Sequence, residues 1–349
     1  MFRYQFETQQ NSKQLKTDQM NNLTEKTSIS SLTPDSWFSE DMPHYAWLTA
    51  YRMMLTEQPL LPKPIIHDYK NLRVILFFGK LAYLDNNNIK YNWSNNGTLT
   101  TTANNQITLS EESGWLIILQ PYNNNIDCLN ENNLRYNAGV YAGLYSALNT
   151  QNIAFIKLCD NVINLENNNI TTFGPAIKNC LTFPPPDLSS AKSDLMQNAG
   201  TVIAKLPDAE KNRIMLSLHW FEKGLRSIGI DGFISMWIAL ETLGMPNTTD
   251  VRPIIQKIAN AYHIPYDKAQ QKFQIGKIHG LRGRILHEGE NIVIHANLSD
   301  YIEAIYSDVL FETIGLSSEK RSEKILTRND FNLTDLLNIQ SRKKPTPAQ

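Results

Sequence analysis

Three successive prolines, Pro184-Pro185-Pro186, divide this chain into two textures. Proline fixes φ and lacks an amide hydrogen, so the run excludes helix and stiffens the segment around it. Before it the chain reads as short β-rich runs separated by asparagine turns, and after Pro207 it reads as almost unbroken helix. That asymmetry predicts an α+β N-terminal domain with an antiparallel sheet, followed by an all-α helical bundle. The expected divisions are a disordered arm over 1–34, the α+β domain over 35–183, a linker and connecting helix over 184–206, the bundle over 207–316, and an extension with a basic tail over 317–349.

The arm is rich in Gln, Asn, Thr, Ser and Lys and has no sustained period, a composition that buries too little apolar surface to order itself. Asp41 and Pro43 read as a helix start, with Tyr45, Trp47, Leu48, Tyr51 and Leu55 as its apolar residues. Leu72–Phe78 and Trp115–Leu119 are compact β-rich runs of the kind buried in a sheet. Weaker segments at 89–93, 98–102 and 106–109 lie between them, and Asn95-Asn96-Gly97 is the clearest hairpin turn. The expected arrangement is an antiparallel meander. A helix around Asn137–Leu148 and a strand at Ile153–Leu158 follow, and the asparagine triplets at 86–88, 123–125 and 167–169 read as loop tips. Nothing in this half attaches to a reaction; His67-Asp68 lacks the further ligands of a metal phosphohydrolase.

The formal net charge is −1, so the chain as a whole does not advertise nucleic-acid binding, and any phosphate-binding surface must be local. Cys128, Cys159 and Cys180 are odd in number and widely spaced, which fits neither zinc ligation nor a disulfide framework. The N-terminus lacks the apolar core of a signal peptide, and the longest apolar runs are far too short to span a bilayer. These features predict a cytoplasmic chain with no membrane partner.

In the second half, Pro207 with Asp208 and Glu210 begins a helix striped by Ile214, Leu218, Phe221, Leu225 and Ile228. Asp231 reads as the cap of a second helix, Gly232–Leu243, and Asp250 with Pro253 starts a third. Pro265 opens a fourth that runs to Glu288, with Gly289 as its cap, and Ser299-Asp300 starts a fifth. The fourth carries His279, Arg282, Arg284 and His287 within nine residues. A guanidinium stays charged and an imidazole titrates near neutrality, a combination suited to chemistry on a phosphate. Residues five apart lie about 140° apart around a helix axis, so Arg282 and His287 converge only through arginine's reach or across a facing helix. Gly276, Gly280 and Gly283 form a strip without side chains at a cost of about 1 kcal/mol each against alanine. Close packing within or between subunits would offset that cost.

Trp237-Ile238-Ala239-Leu240-Glu241-Thr242-Leu243 on one helix, Arg282-x4-His287 on a later one and a bundle around both resemble the HEPN superfamily, most closely its Apea-like branch, over about 207–316. The resemblance implies a metal-independent endoribonuclease without a cofactor, of the kind found in antiphage, abortive-infection and toxin–antitoxin systems. It implies RNA as substrate, a homodimer through the bundle with the two motifs facing across one cleft, and room for a regulatory protein partner or antitoxin. Arg282 and His287 become the catalytic residues by this resemblance. An RNA 2′-hydroxyl would attack the adjacent phosphate, with His287 as general acid or base and Arg282 stabilising the developing charge. Glu241, His279 and Arg284 take supporting roles: orienting the pair, lining the cleft and contacting a second phosphate. As plain structural residues these three would be an ion-pair partner, a packing histidine and a surface charge. Gly283 departs from the polar residue that commonly follows the motif arginine. With the near-zero net charge, that departure keeps a second expectation open, a non-catalytic HEPN dimerisation or ligand-binding scaffold.

Overall fold

A computed structural model of the chain describes residues 33, 35–38, 45–54, 65–69, 72–78, 81–84, 90–93, 99–102, 107–110, 114–122, 128–148, 154–164, 170–172, 191–288 and 292–339. Most of the expected arm, the asparagine triplets, the Asn95-Asn96-Gly97 turn, the proline run, Gly289 and the basic tail lie outside the described residues.

The first half begins with strands β1 (Tyr45–Met54), β2 (Ile65–Tyr69), β3 (Leu72–Phe78), β4 (Leu81–Leu84), β5 (Lys90–Trp93), β6 (Leu99–Thr102), β7 (Ile107–Ser110) and β8 (Gly114–Tyr122). Helix α1 (Cys128–Leu148) follows, then β9 (Ala154–Asn164) and β10 (Ile170–Thr172). Six of the strands form one antiparallel sheet in the order β10-β9-β1-β8-β3-β2. The expected strands are all present, but their pairing is nested rather than a meander. β5 pairs with β6, β4 with β7, and β3 with β8, each hairpin enclosed by the next. Between β3 and β8, strands adjacent in sequence pair directly only at the innermost β5–β6 hairpin.

The expected helix at Tyr45 is instead β1, the strand between β8 and β9. Ala46 through Tyr51 are each exposed by 1 % or less, so both faces of the segment are covered. A run that is apolar on every side carries no period with which to separate helix from strand, and Trp47, Thr49 and Tyr51 favour the pleated surface. Pairing on both edges then satisfies the backbone.

Helix α1 lies on the face that carries Trp47, Thr49, Leu116, Ile118 and Gln120. Gln120 Nε2 donates to the Leu134 carbonyl at 2.8 Å, and Arg135 sits over the Trp47 ring while pairing with Asp160 at 3.2 Å. One apolar core continues from Tyr51, Leu116 and Ile118 through Tyr141 and Tyr145 to Phe221, Trp237 and Tyr306 in the second half. Gly139 and Gly143 allow α1 to lie tightly on the helix Asp208–Arg226. A Cβ at Gly139 would sit 2.9 Å from His219 Nδ1, and one at Gly143 would overlap the Leu218 carbonyl.

The second half is a bundle of α2 (Ala191–Lys205), α3 (Asp208–Arg226), α4 (Gly229–Gly244), α5 (Arg252–Tyr262), α6 (Tyr266–Phe273), α7 (Ile275–His287), α8 (Ala296–Thr313), α9 (Arg321–Leu326) and α10 (Leu333–Ile339). Pro207 precedes α3 and Pro253 lies in the first turn of α5, as their missing amide hydrogens favour. Helix α4 begins earlier than expected, with Ile228 as its cap and Asp231 inside the first turn. Helix α8 runs through the core, burying Tyr301, Ile302, Ile305, Tyr306, Val309 and Leu310. On it, buried Asp308 accepts from the Tyr262, Ser318 and Ser322 hydroxyls at 2.6 Å each and from the Arg321 and Ser322 amides at 3.0 Å.

The expected fourth helix is two helices. Gln274 has a left-handed φ of 50° and separates α6 from α7, and the Tyr301 hydroxyl donates to the Phe273 carbonyl at 3.1 Å. The break resets the helical phase so that Phe273, Ile275 and Ile278 all reach the core. The five-residue step from Phe273 to Ile278, too long for one helix face, is its trace in the sequence. Among the described residues, no helix is long and apolar enough to cross a membrane.

A polar cluster on the α4–α7 seam

Helix α7 is held by Ile275, Ile278, Leu281 and Ile285, whose three- and four-residue steps form its buried face. Placed at about 100° per residue, Gly276, Gly280, Gly283 and His287 fall together on the opposite face. A Cβ at any of the three glycines would meet no heavy atom within 4 Å. Among the described residues, then, nothing packs on the strip. His287 continues that strip at its C-terminal end and is exposed.

Arg282 lies on the flank that faces α4. Its Nη2 donates to Glu241 Oε2 at 3.5 Å, the outer limit of a hydrogen bond, and its Nη1 lies 3.3 Å from His287 Nε2. Arginine's reach alone thus closes the 140° separation. A guanidinium has donors only, so the contact makes His287 Nε2 the acceptor and places the ring proton on Nδ1.

Glu241 is fixed from its own helix. The indole N–H of Trp237, one turn earlier, donates to Glu241 Oε1 at 2.7 Å. The same indole stacks on His279, with centroids 5.7 Å apart and planes 21° apart. Trp237 is fully buried, while Glu241 and Arg282 are each about a fifth exposed, with side-chain values of 22 %. Nearby, Asp250 receives the Arg252 amide at 2.9 Å and pairs with the Arg252 side chain. The Arg252 amide above all, then its guanidinium and finally the charge of His279 hold the Asp250 carboxyl below its ordinary range.

Of the residues singled out in the sequence, Arg282, His287 and Glu241 meet, and His279 joins them through the Trp237 ring. Arg284 is two residues on from Arg282 and falls on the other flank of the glycine strip. Trp237 stands in the sequence as the first residue of the Trp237–Leu243 motif and as an aromatic suited to the core, with no role in the site. Its four-residue spacing to Glu241 was the available signal, since a buried indole N–H needs a partner.

Chemically, the cluster offers a charged fork for an anionic oxygen, an imidazole beside it and a carboxylate behind the fork. Among the described residues, no three His, Cys, Asp or Glu side chains are grouped to hold a metal ion. Comparison with known protein families, with curated proteins and with solved structures finds no match to this chain.

Proposed function

We propose that the protein is a metal-independent endoribonuclease of HEPN type, acting in antiphage defence or as a toxin, with Arg282 and His287 in a site completed by a second copy of the chain. The observation that carries this reading is the 3.3 Å approach of Arg282 Nη1 to His287 Nε2, at the end of a glycine strip that none of the described residues covers. A phosphodiester entering this surface would replace His287 as the acceptor for the Arg282 fork. The released Nε2 would then take the proton of the attacking 2′-hydroxyl, and the Nδ1–H or its counterpart in the second copy would protonate the leaving 5′-oxygen. Glu241 keeps Arg282 beside the phosphate. The small residues of the strip let a second backbone come close, which would bring two such pairs to one cleft.

Arg282→Ala and His287→Ala should each abolish RNA cleavage while circular dichroism and solution size stay those of the wild type. Wild-type cleavage in both variants would overturn the assignment. A second reading, a non-catalytic dimerisation scaffold, draws on Gly283 and the bare strip itself, which suit packing without requiring chemistry. It predicts a dimer that leaves RNA intact and survives the His287 substitution.

A further inference from the structure

We propose that Trp237 is a positioning residue for this reaction: its indole N–H fixes the Glu241 carboxylate, and through it the Arg282 fork and the His287 ring. The inference rests on the ribonuclease reading for its kinetic consequence, but its geometric part stands independently.

Trp237 has no exposed surface, so its N–H must find an acceptor inside the protein. The acceptor is the partly exposed carboxylate of Glu241, 2.7 Å away. With Oε1 committed to the indole, Oε2 is the oxygen that faces α7, where it meets Arg282 Nη2. The opposite Nη of the same guanidinium reaches His287 Nε2. One side of the relay is thus a rigid ring locked in the core, and the other is an exposed imidazole. Each intermediate group uses separate atoms for its two partners, so an orientation set at Trp237 is passed on to His287. The stacking of His279 on the same ring leaves little room for the indole to turn over.

Phenylalanine at position 237 keeps a ring against His279 but removes the N–H. In the full chain, Trp237→Phe should lower kcat for RNA cleavage by about ten- to a hundredfold, the scale of a misplaced catalytic group, with KM nearly unchanged. Glu241→Ala should be as impaired, and the double variant no worse than Glu241→Ala alone. Wild-type kcat in Trp237→Phe, or losses that multiply in the double variant, would overturn the proposal. A readout that needs no activity is the ¹⁵N spectrum of the His287 ring. The wild type should show the Nδ1–H form, and Trp237→Phe a mixture of both tautomers. If the wild type cleaves no RNA, the ribonuclease reading fails, yet the relay is still judged by that spectrum; an unchanged ring in a folded Trp237→Phe would refute it. Should Trp237→Phe not fold, the indole N–H resonance of Trp237 decides. An upfield move in Glu241→Ala supports the relay, and an unmoved resonance overturns it.

Discussion

Arg282 Nη1 lies 3.3 Å from His287 Nε2, five residues along the same helix. A guanidinium that donates to an imidazole occupies the nitrogen a general base needs. In the isolated chain, then, the two groups engage one another. Under the proposed function, a phosphate would have to part them before either acted on it, so that the chemistry would begin only once the substrate is seated.

The glycine strip of α7 separates stability from association. With open space at each Cβ position, Gly276→Ala, Gly280→Ala and Gly283→Ala should each stabilise the monomer by about 0.5–1 kcal/mol, through helix propensity alone. The combined variant should raise the urea midpoint measured at low protein concentration and weaken self-association in sedimentation. Unaltered association would remove the strip from any dimer seam.

Gly143 should respond in the opposite sense. Alanine there gains helix propensity but forces its methyl into the Leu218 carbonyl, and neither helix backbone can yield locally. Gly143→Ala should therefore destabilise the fold by about 1–3 kcal/mol in denaturant titration, the usual range for overpacking.

His219 gives the fold a pH dependence. Burial above all, with Lys223, Arg226 and Lys157 adding to it, pushes its imidazole down to about 4 from 6.5. The unfolded chain therefore takes up the proton first, and this contribution to stability falls as pH drops from 6.5 to about 4, then levels off. Glu222 works against it. Burial raises that carboxyl despite its Arg226 partner, so its contribution falls as pH rises above the ordinary carboxylate value. His219→Gln should lose about 1–2 kcal/mol less stability than the wild type between pH 7 and pH 4, allowing for the ring's partial contact with water. Parallel stability curves for the two proteins would contradict this.

Asp308 ties α9 to the core with five accepted hydrogen bonds, from three hydroxyls and two amides. Asp308→Ala leaves the buried Arg321 and Ser322 amides without their acceptor and removes a partner from three hydroxyls, and should cost about 3–5 kcal/mol. Hydrogen exchange should rise first at the Arg321 and Ser322 amides, ahead of the rest of the bundle.

The legible parts of the fold were those with a period or a stop signal. Leu72–Phe78 and Trp115–Leu119 announced β3 and β8 through compact β-rich composition, and the proline starts placed α3 and α5 within a few residues. The segment from Tyr45 to Met54 failed because a strand covered on both faces has no alternation to read. The nesting of the hairpins was hidden because pairing partners far apart in sequence leave no local mark. In the site, the sequence supplied Arg282, His287 and Glu241 as candidates. It left Trp237 out because a buried indole and a hydrogen-bonding indole are the same letter, and only the distance to Glu241 separates them.

The most direct measurement is the chemistry of the cut ends when purified full-length protein is incubated with RNA in EDTA. The account predicts 2′,3′-cyclic phosphate and 5′-hydroxyl termini from the wild type, and intact RNA with a folded His287→Ala variant of the same solution size. Ends carrying 3′-hydroxyl and 5′-phosphate, or cyclic ends produced equally by His287→Ala, would contradict it.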